Sequence, residues 1–202
     1  MENEKILITG GLGFVGSNLS KSFSRFNEVL ILDNKIYNSI EFKNNTNINI
    51  ENIDIRSKNI SKIINLYKPT IFVHCAAQTS VIDSIKDPET TKSINIDGTY
   101  NLLNEVKKLD NCYFTFISSG GAIYGDPKYL PVDEKHPENP ISEYGVSKLE
   151  GEKLISKTLH KSKINYSILR PSNIYGPHQK SQNVIPIFID NMIKNKEIII
   201  YG

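Results

Sequence analysis

The segment Gly10-Gly11-Leu12-Gly13-Phe14-Val15-Gly16 follows the apolar run Lys5 to Thr9 without a break and leads straight into an amphipathic stretch. It satisfies both Gly-x-Gly-x-x-Gly and Gly-x-x-Gly-x-x-Gly. Glycines at these places allow a tight strand-to-helix turn, let backbone lie against a pyrophosphate and bring helix close to strand, while the helix N-terminus supplies amide donors and positive potential. A glycine-rich turn can be no more than a turn, so a second observation is needed. Asp33 provides it, about 20 residues on, at the end of the next apolar run, where a carboxylate accepts both ribose hydroxyls and repels a 2′-phosphate. The combination reads as a dinucleotide site that takes NAD in preference to NADP.

Apolar runs recur at Lys5 to Thr9, Glu28 to Asp33, Ile48 to Ile53, Thr70 to Cys75, Tyr113 to Ser118 and Asn165 to Arg170, separated by longer amphipathic segments. This alternation predicts an α/β fold, a Rossmann-type doubly wound parallel sheet with helices on both faces. Helices are expected at Phe14 to Arg25, Ser57 to Tyr67, Pro88 to Leu109, Ser142 to His160 and Val184 to Lys194, with a last apolar run at Glu197 to Tyr201. Pro127, Pro131, Pro137 and Pro140 mark a long irregular connection of the kind that borders a site. After Pro171 the pattern loosens. The expected organisation is a dinucleotide-binding domain with the catalytic residues over 1–177, and the start of a small, incomplete substrate-binding region over 178–202.

Composition excludes several roles. Hydrophobic residues make up 39% of the 202, enough for a sizeable core, while a net charge of +2 from scattered lysines leaves no basic stripe for nucleic acid. No apolar run reaches membrane length, and MENEKILITG lacks the long apolar stretch of a signal peptide, so a cytoplasmic protein is expected. Cys75 and Cys112 have neither paired-thiol nor metal-ligand spacing; both read as packing residues, and no metal is expected.

Tyr144-Gly145-Val146-Ser147-Lys148 carries the chemistry. On a helix, residues four apart share a face, which sets the Lys148 ammonium beside the Tyr144 phenol. A neighbouring cation favours phenolate and lowers a reference pKa of about 10 towards the physiological range, making Tyr144 a general acid and base. With ten tyrosines and 21 lysines in 202 residues, about one such spacing arises by chance. A second does occur, Tyr124 to Lys128, but Gly125 and Pro127 lie inside it and an interior proline clashes with a helical turn. Around Tyr144, by contrast, Val146, Leu149, Leu154, Ile155 and Leu159 follow a helical spacing, with Ser142 as N-cap.

With the glycine turn, Asp33 and Tyr144-x-x-x-Lys148 in one chain, the sequence resembles the extended short-chain dehydrogenase/reductase family, in particular its NAD-dependent nucleotide-sugar epimerases and dehydratases, from Ile6 to Gly202. The resemblance implies NAD held by Gly10, Gly13, Phe14, Val15 and Gly16, by Asp33 and Asn34, and by Asp54-Ile55 at the adenine. His74-Cys75-Ala76-Ala77-Gln78 is similar to the family's His-x-Ala-Ala segment, whose small residues let Ala76, Ala77 and Gln78 lie against the cofactor; His74 itself reads as structural. Asn95-Ile96-Asp97-Gly98-Thr99 matches Asn-x-x-Gly-Thr, in which the asparagine supports the catalytic lysine. Lys148 is also implied to hold the nicotinamide ribose. Arg170 to Pro177 resembles Arg-x-x-Asn-x-Tyr-Gly-Pro, which implies Asn173 at the substrate diphosphate and Ser172 near the nicotinamide, and Val81 is implied on the substrate side.

In the family a Ser or Thr after the fifth strand hydrogen-bonds the sugar hydroxyl being oxidised. Counting back from Tyr124-Gly125 puts that place at Gly120, which has no hydroxyl, so the role is expected to move to Ser119, with Ser118 as the alternative. Dehydratases of the family carry an acidic pair directly after this residue, to deliver one proton and remove another at adjacent carbons. Gly120 and Gly121 stand there instead. The expected reaction is epimerisation at C4 of a UDP-sugar through a 4-keto intermediate, with Ser119, Tyr144 and Lys148 catalytic. A dehydratase or reductase on the same scaffold, or a non-catalytic NAD-binding protein, is the alternative. Family members continue well past Gly202, which implies NAD binding largely intact and weakened nucleotide-sugar affinity, and a homodimer is implied through the helices following Pro88 and Ser142.

Overall fold

The structure, a computed structural model, describes residues 2–35, 42–177, 179 and 184–200. Six strands among them form one parallel sheet: β1 (Lys5–Thr9), β2 (Glu28–Asp33), β3 (Ile48–Asn52), β4 (Ile71–His74), β5 (Tyr113–Ile117) and β6 (Asn165–Leu169). Their order is β3-β2-β1-β4-β5-β6. In this order the connections leave β1 and β4 in opposite directions, opening a crevice between their C-terminal ends. Four strands stop one residue short of the apolar run that predicted them. Ile53, Cys75, Ser118 and Arg170 lie just past the strand ends, and the first three still donate their amides to the carbonyls of Asp33, Thr9 and Leu169.

Side chains alternate across the sheet, so successive residues of β1 feed two different cores. Leu7 joins Leu30, Leu32, Phe72 and Phe114 on one face, while Ile6 and Ile8 join Val29, Ile31 and Val73 on the other. A strand covered on both faces must be apolar throughout, which is why β1 and β2 read as unbroken runs.

The helices are α1 (Phe14–Phe23), α2 (Ile60–Tyr67), α3 (Val81–Lys86), α4 (Pro88–Lys92), α5 (Gly98–Val106), α6 (Gly120–Ile123), α7 (Glu143–Leu159) and α8 (Val184–Ile193). The single helix expected from Pro88 to Leu109 is instead α4, a π-helical turn at Ser93–Asp97, and α5. α3 was not anticipated; Ser80 caps it by accepting the Asp83 amide at 3.1 Å. α7 starts where its pattern indicated, with the Ser142 hydroxyl accepting the Gly145 amide at 3.1 Å.

The chain divides into two compact units, Met1–Ser172 and Asn173–Gly202. The second unit contains α8, none of whose residues is buried. Residues 197–200 carry no strand. Tyr201, the end of the expected apolar run, lies outside the described residues.

Candidate active site

Gly10 leaves β1 with φ +67°, a conformation that costs an L side chain strain, and a Cβ there would stand 2.7 Å from the Ala76 backbone. At Gly16 a Cβ would stand 2.2 Å from the Gly10 carbonyl oxygen. The first turn of α1 therefore lies directly on the glycine loop, and Gly13, its N-cap, brings no side chain to it. The amides of Phe14, Val15 and Gly16 open the helix at the edge of the crevice, where a pyrophosphate gains both donors and the helix dipole. Asp33 Oδ2 accepts the Leu12 amide at 3.1 Å and Oδ1 accepts the Lys35 amide at 3.0 Å. Among the described residues each carboxylate oxygen keeps one further acceptor position, one for each of two ribose hydroxyls. Gln78 Oε1 is buried without a hydrogen-bond partner among the described residues. The cradle fits a dinucleotide.

Asp54 lies just past the end of β3. Its Oδ1 accepts Arg56 N at 2.8 Å and Arg56 Nε at 2.9 Å, and its Oδ2 accepts Arg56 Nη2 at 2.7 Å and Asn34 Nδ2 at 3.3 Å. Arg56 in particular holds the carboxyl down at about 2. Arg56 and Asn34 thus engage both oxygens of the carboxylate, which stays 29% exposed. Ile55 is 5% exposed and belongs to the core, and its carbonyl accepts Asn101 Nδ2 at 2.7 Å.

Tyr144 and Lys148 occupy the first turns of α7, with the ammonium 5.9 Å from the phenol ring centre and 4.8 Å from that of Phe116. Lys148 is 4% exposed, and Nζ donates to the Ile117 carbonyl at 2.8 Å. Burial pulls its pKa down to about 8, against a smaller upward pull from Cys75 and Glu152. The expected lowering of Tyr144 by Lys148 is not what dominates in this chain. Burial pushes the phenol up, and the nearby Ser119 hydroxyl pulls it back. Asn95 meets Ser147, donating to its hydroxyl at 2.9 Å, and so reaches the residue before Lys148 instead of the ammonium itself.

The two candidate serines point to different partners. Ser119 lies close enough to the Tyr144 phenol to act on it, whereas Ser118 is 3% exposed and donates to Glu152 Oε1 at 2.5 Å. Glu152 in turn accepts Arg170 Nε at 3.0 Å and Nη2 at 2.6 Å, while Arg170 Nη1 donates to the Tyr124 hydroxyl at 2.8 Å and Nη2 also meets Glu138. Tyr124, the decoy of the Tyr-x-x-x-Lys pattern, is thus a structural partner of Arg170. Sequence reasoning missed Glu152, although it stands four residues after Lys148 on a face shared with Ile155. Gly120 donates its amide to the Pro171 carbonyl at 2.8 Å, and a Cβ on it would lie 2.8 Å from the Arg170 carbonyl oxygen. Val81 opens α3 and is 44% exposed; Ser172 is exposed at the end of the first unit, and Asn173 belongs to the second. Of the cysteines, Cys112 is buried, and burial pushes the Cys75 thiol up to about 12.

Residues 6–202 match the NAD dependent epimerase/dehydratase family. The chain belongs to that family. NAD is accordingly the dinucleotide for its cradle. Within the family the chain is 45% identical, over 98% of its length and 66% of the relative's, to a Methanocaldococcus jannaschii protein named "Putative UDP-glucose 4-epimerase". Its fold is similar to a UDP-N-acetylglucosamine 4-epimerase from Methanobrevibacter ruminantium, solved with UDP-N-acetylmuramic acid, at a TM-score of 0.92 and 29% identity over 100% of this chain and 66% of that one. A Thermus thermophilus UDP-glucose 4-epimerase solved with NAD gives a TM-score of 0.86 and 32% identity over 96% and 64%. The chain thus spans about two thirds of the length of the family members it matches. Among the described residues no helix is long and apolar enough to cross a membrane.

Proposed function

We propose that this chain carries the NAD-binding and catalytic part of a UDP-sugar 4-epimerase. The observation that carries the reading is the placement of Ser119 beside the Tyr144 phenol and next to Gly120, a place where the Arg170 carbonyl leaves no room for an acidic side chain. Tyr144 takes the proton from the sugar C4 hydroxyl and later returns it, and Ser119 shares that proton, so charge passes between substrate and phenol over short hydrogen bonds. NAD, when bound, supplies reversible hydride acceptance at C4, which makes the 4-keto sugar the intermediate. Lys148, anchored on the Ile117 carbonyl, presents an ammonium beside the phenol and holds the nicotinamide ribose. Asp33 binds the adenosine ribose. Val81, Ser172 and Asn173 are assigned by family resemblance, the first and last to the substrate and Ser172 to the nicotinamide.

Epimerisation returns the hydride to the opposite face and needs no second acid, in keeping with Gly120 and Gly121. Incubation with UDP-galactose, and separately with UDP-N-acetylgalactosamine, is expected to yield the C4 epimer, with turnover lost in Tyr144→Phe, cut sharply in Ser119→Ala and little changed in Ser118→Ala. A 4-keto sugar as sole product, or net consumption of reduced cofactor, would overturn epimerisation in favour of a dehydratase or reductase. A homodimer through α5 and α7 belongs to the same reading, supported by Tyr100 and Val146, 52% and 39% exposed on those helices.

A further inference from the structure

His74 ends β4 and is 1% exposed, enclosed by the rings of Phe114 and Phe116 at 6.3 and 5.4 Å. Nothing in the proton transfer uses it, yet both ring nitrogens are bonded. Nδ1 meets Thr9 Oγ1 at 2.7 Å, across the pair that puts Thr9 opposite His74 in the sheet, and Nε2 meets Thr99 Oγ1 at 2.9 Å. The neighbours fix which nitrogen carries the proton. Thr99 has one hydroxyl hydrogen and spends it on the Asn95 carbonyl at 2.6 Å, so towards His74 it can only accept. Nε2 is therefore protonated, and Nδ1 accepts the hydrogen of Thr9. Burial, with Lys148 adding to it, holds the ring neutral by drawing its pKa down to about 3.

The bonds continue at both ends. Thr9 Oγ1 accepts the Ala76 amide at 3.4 Å, and Ala76 is the residue against which Gly10 is packed. On the other side Asn95 accepts the Gln78 amide at 2.8 Å, donates to the Gln78 carbonyl at 3.0 Å and donates to Ser147 Oγ at 2.9 Å, and Ser147 donates to the Tyr144 carbonyl at 2.8 Å. We propose that His74 is a positioning residue: as the Nε2-protonated tautomer it ties the cofactor loop at Thr9 and Ala76, through Thr99 and Asn95, to the turn of α7 that carries Tyr144 and Lys148. The Thr99 arm sets where Lys148 stands, and the Thr9 arm ends at the loop. The inference rests on the proposed use of Lys148 at the nicotinamide ribose.

Long-range 15N correlation spectra of the intact chain at neutral pH are expected to show His74 with Nδ1 bare and Nε2 protonated; an Nδ1-protonated ring or an imidazolium overturns the assignment. NAD affinity by calorimetry separates the two arms. His74→Gln keeps a donor towards Thr99 and is expected to hold the NAD Kd within about threefold, whereas His74→Asn keeps only the acceptor towards Thr9 and loses about tenfold, the cost of one buried polar group left unpaired. Thr99→Val leaves His74 in place should neither variant fold, and is expected to lose about tenfold as well and to shift the His74 spectrum off the pure tautomer. Equal affinities for the Gln and Asn variants, or an unchanged Thr99→Val protein, overturn the inference. Lys148→Met addresses the reading beneath it: unchanged NAD affinity there removes Lys148 from the cofactor site whatever the His74 spectrum shows, while a weakened affinity leaves the His74 variants to decide His74 alone.

Discussion

β1 and α8 are both aliphatic segments, and they end in opposite surroundings. Ile6, Leu7 and Ile8 are 0% exposed, whereas α8 has no buried residue and exposes Met192 at 64% and Ile193 at 75%. An apolar sequence becomes a core only where other elements cover it on each side. β1 has strands on both flanks and helices on both faces; among its described residues the second unit has one helix and irregular chain. Cooperative stability therefore belongs to the first unit, which also holds the NAD cradle and the Ser119–Tyr144–Lys148 cluster.

The largest effect that could break this contrast is a cavity in each unit. Phe114→Ala should lose about 3–5 kcal/mol in urea unfolding, while Met192→Ala should stay within about 0.5 kcal/mol. Similar losses at both would show that α8 folds with the core. Glu152→Ala, which leaves the Arg170 guanidinium without its principal partner, should cost about 3–5 kcal/mol by the same measurement. It should also lower turnover by releasing Ser118 beside Ser119.

Lys148 works in the other direction. Its folded pKa of about 8 lies below its ordinary 10.5, so below pH 8 both folded and unfolded chains are protonated and the burial cost is present in full. Between pH 8 and 10.5 the unfolded chain binds more protons, and stability rises with pH. Lys148→Met should therefore stabilise the chain by roughly 2–3 kcal/mol at pH 7 and remove this share of the rise between those pH values, as read from parallel denaturation curves. A Lys148→Met variant less stable than its parent would mean that the Ile117 carbonyl bond outweighs desolvation. The smallest effect sharpens the assignment of the cradle to the first unit. Asp33→Asn should weaken NAD by about tenfold and narrow the gap to NADP, in calorimetry with each cofactor, as a charged acceptor gives way to a neutral one.

How much of this was legible in the sequence depended on whether the signal was local. The glycine turn, β1, β2 and the N-cap of α7 were readable because each rests on neighbouring residues: a positive φ, an unbroken apolar run, a serine three residues before the amide it caps. The break at Ser93 was not, because a π-helical turn is set by what Asn95 and Thr99 meet in other elements, and the apolar spacing runs through it undisturbed. α6 escaped notice because Gly120-Gly121 are poor helix formers that tertiary packing overrides. For the site, the motif register pointed to Gly120 and left Ser119 and Ser118 as the candidates, while the bond that engages Ser118 with Glu152 joins residues far apart in the chain. The Tyr144 and Lys148 pair was proposed from its spacing on a segment of helical pattern, with the second match set aside for its interior proline. Spacing gave the neighbourhood of the charge and missed its burial, which reverses the direction in which the phenol is shifted.

The strand order has a consequence for biosynthesis. β1 can pair with β2 as soon as both have been made, but its other neighbour, β4, begins at Ile71, and the Gly10 loop rests on Ala76. Ser119 and Tyr144 come later in the chain but close together, with only α6 between them. Contacts between segments as distant in the chain as β1 and β4 form slowly, because a long loop must close before they are rewarded. During synthesis, then, the ribosome releases the first half of the sheet before it has a cofactor site, and NAD can be captured only once the crevice has closed around Gly10 and Ala76.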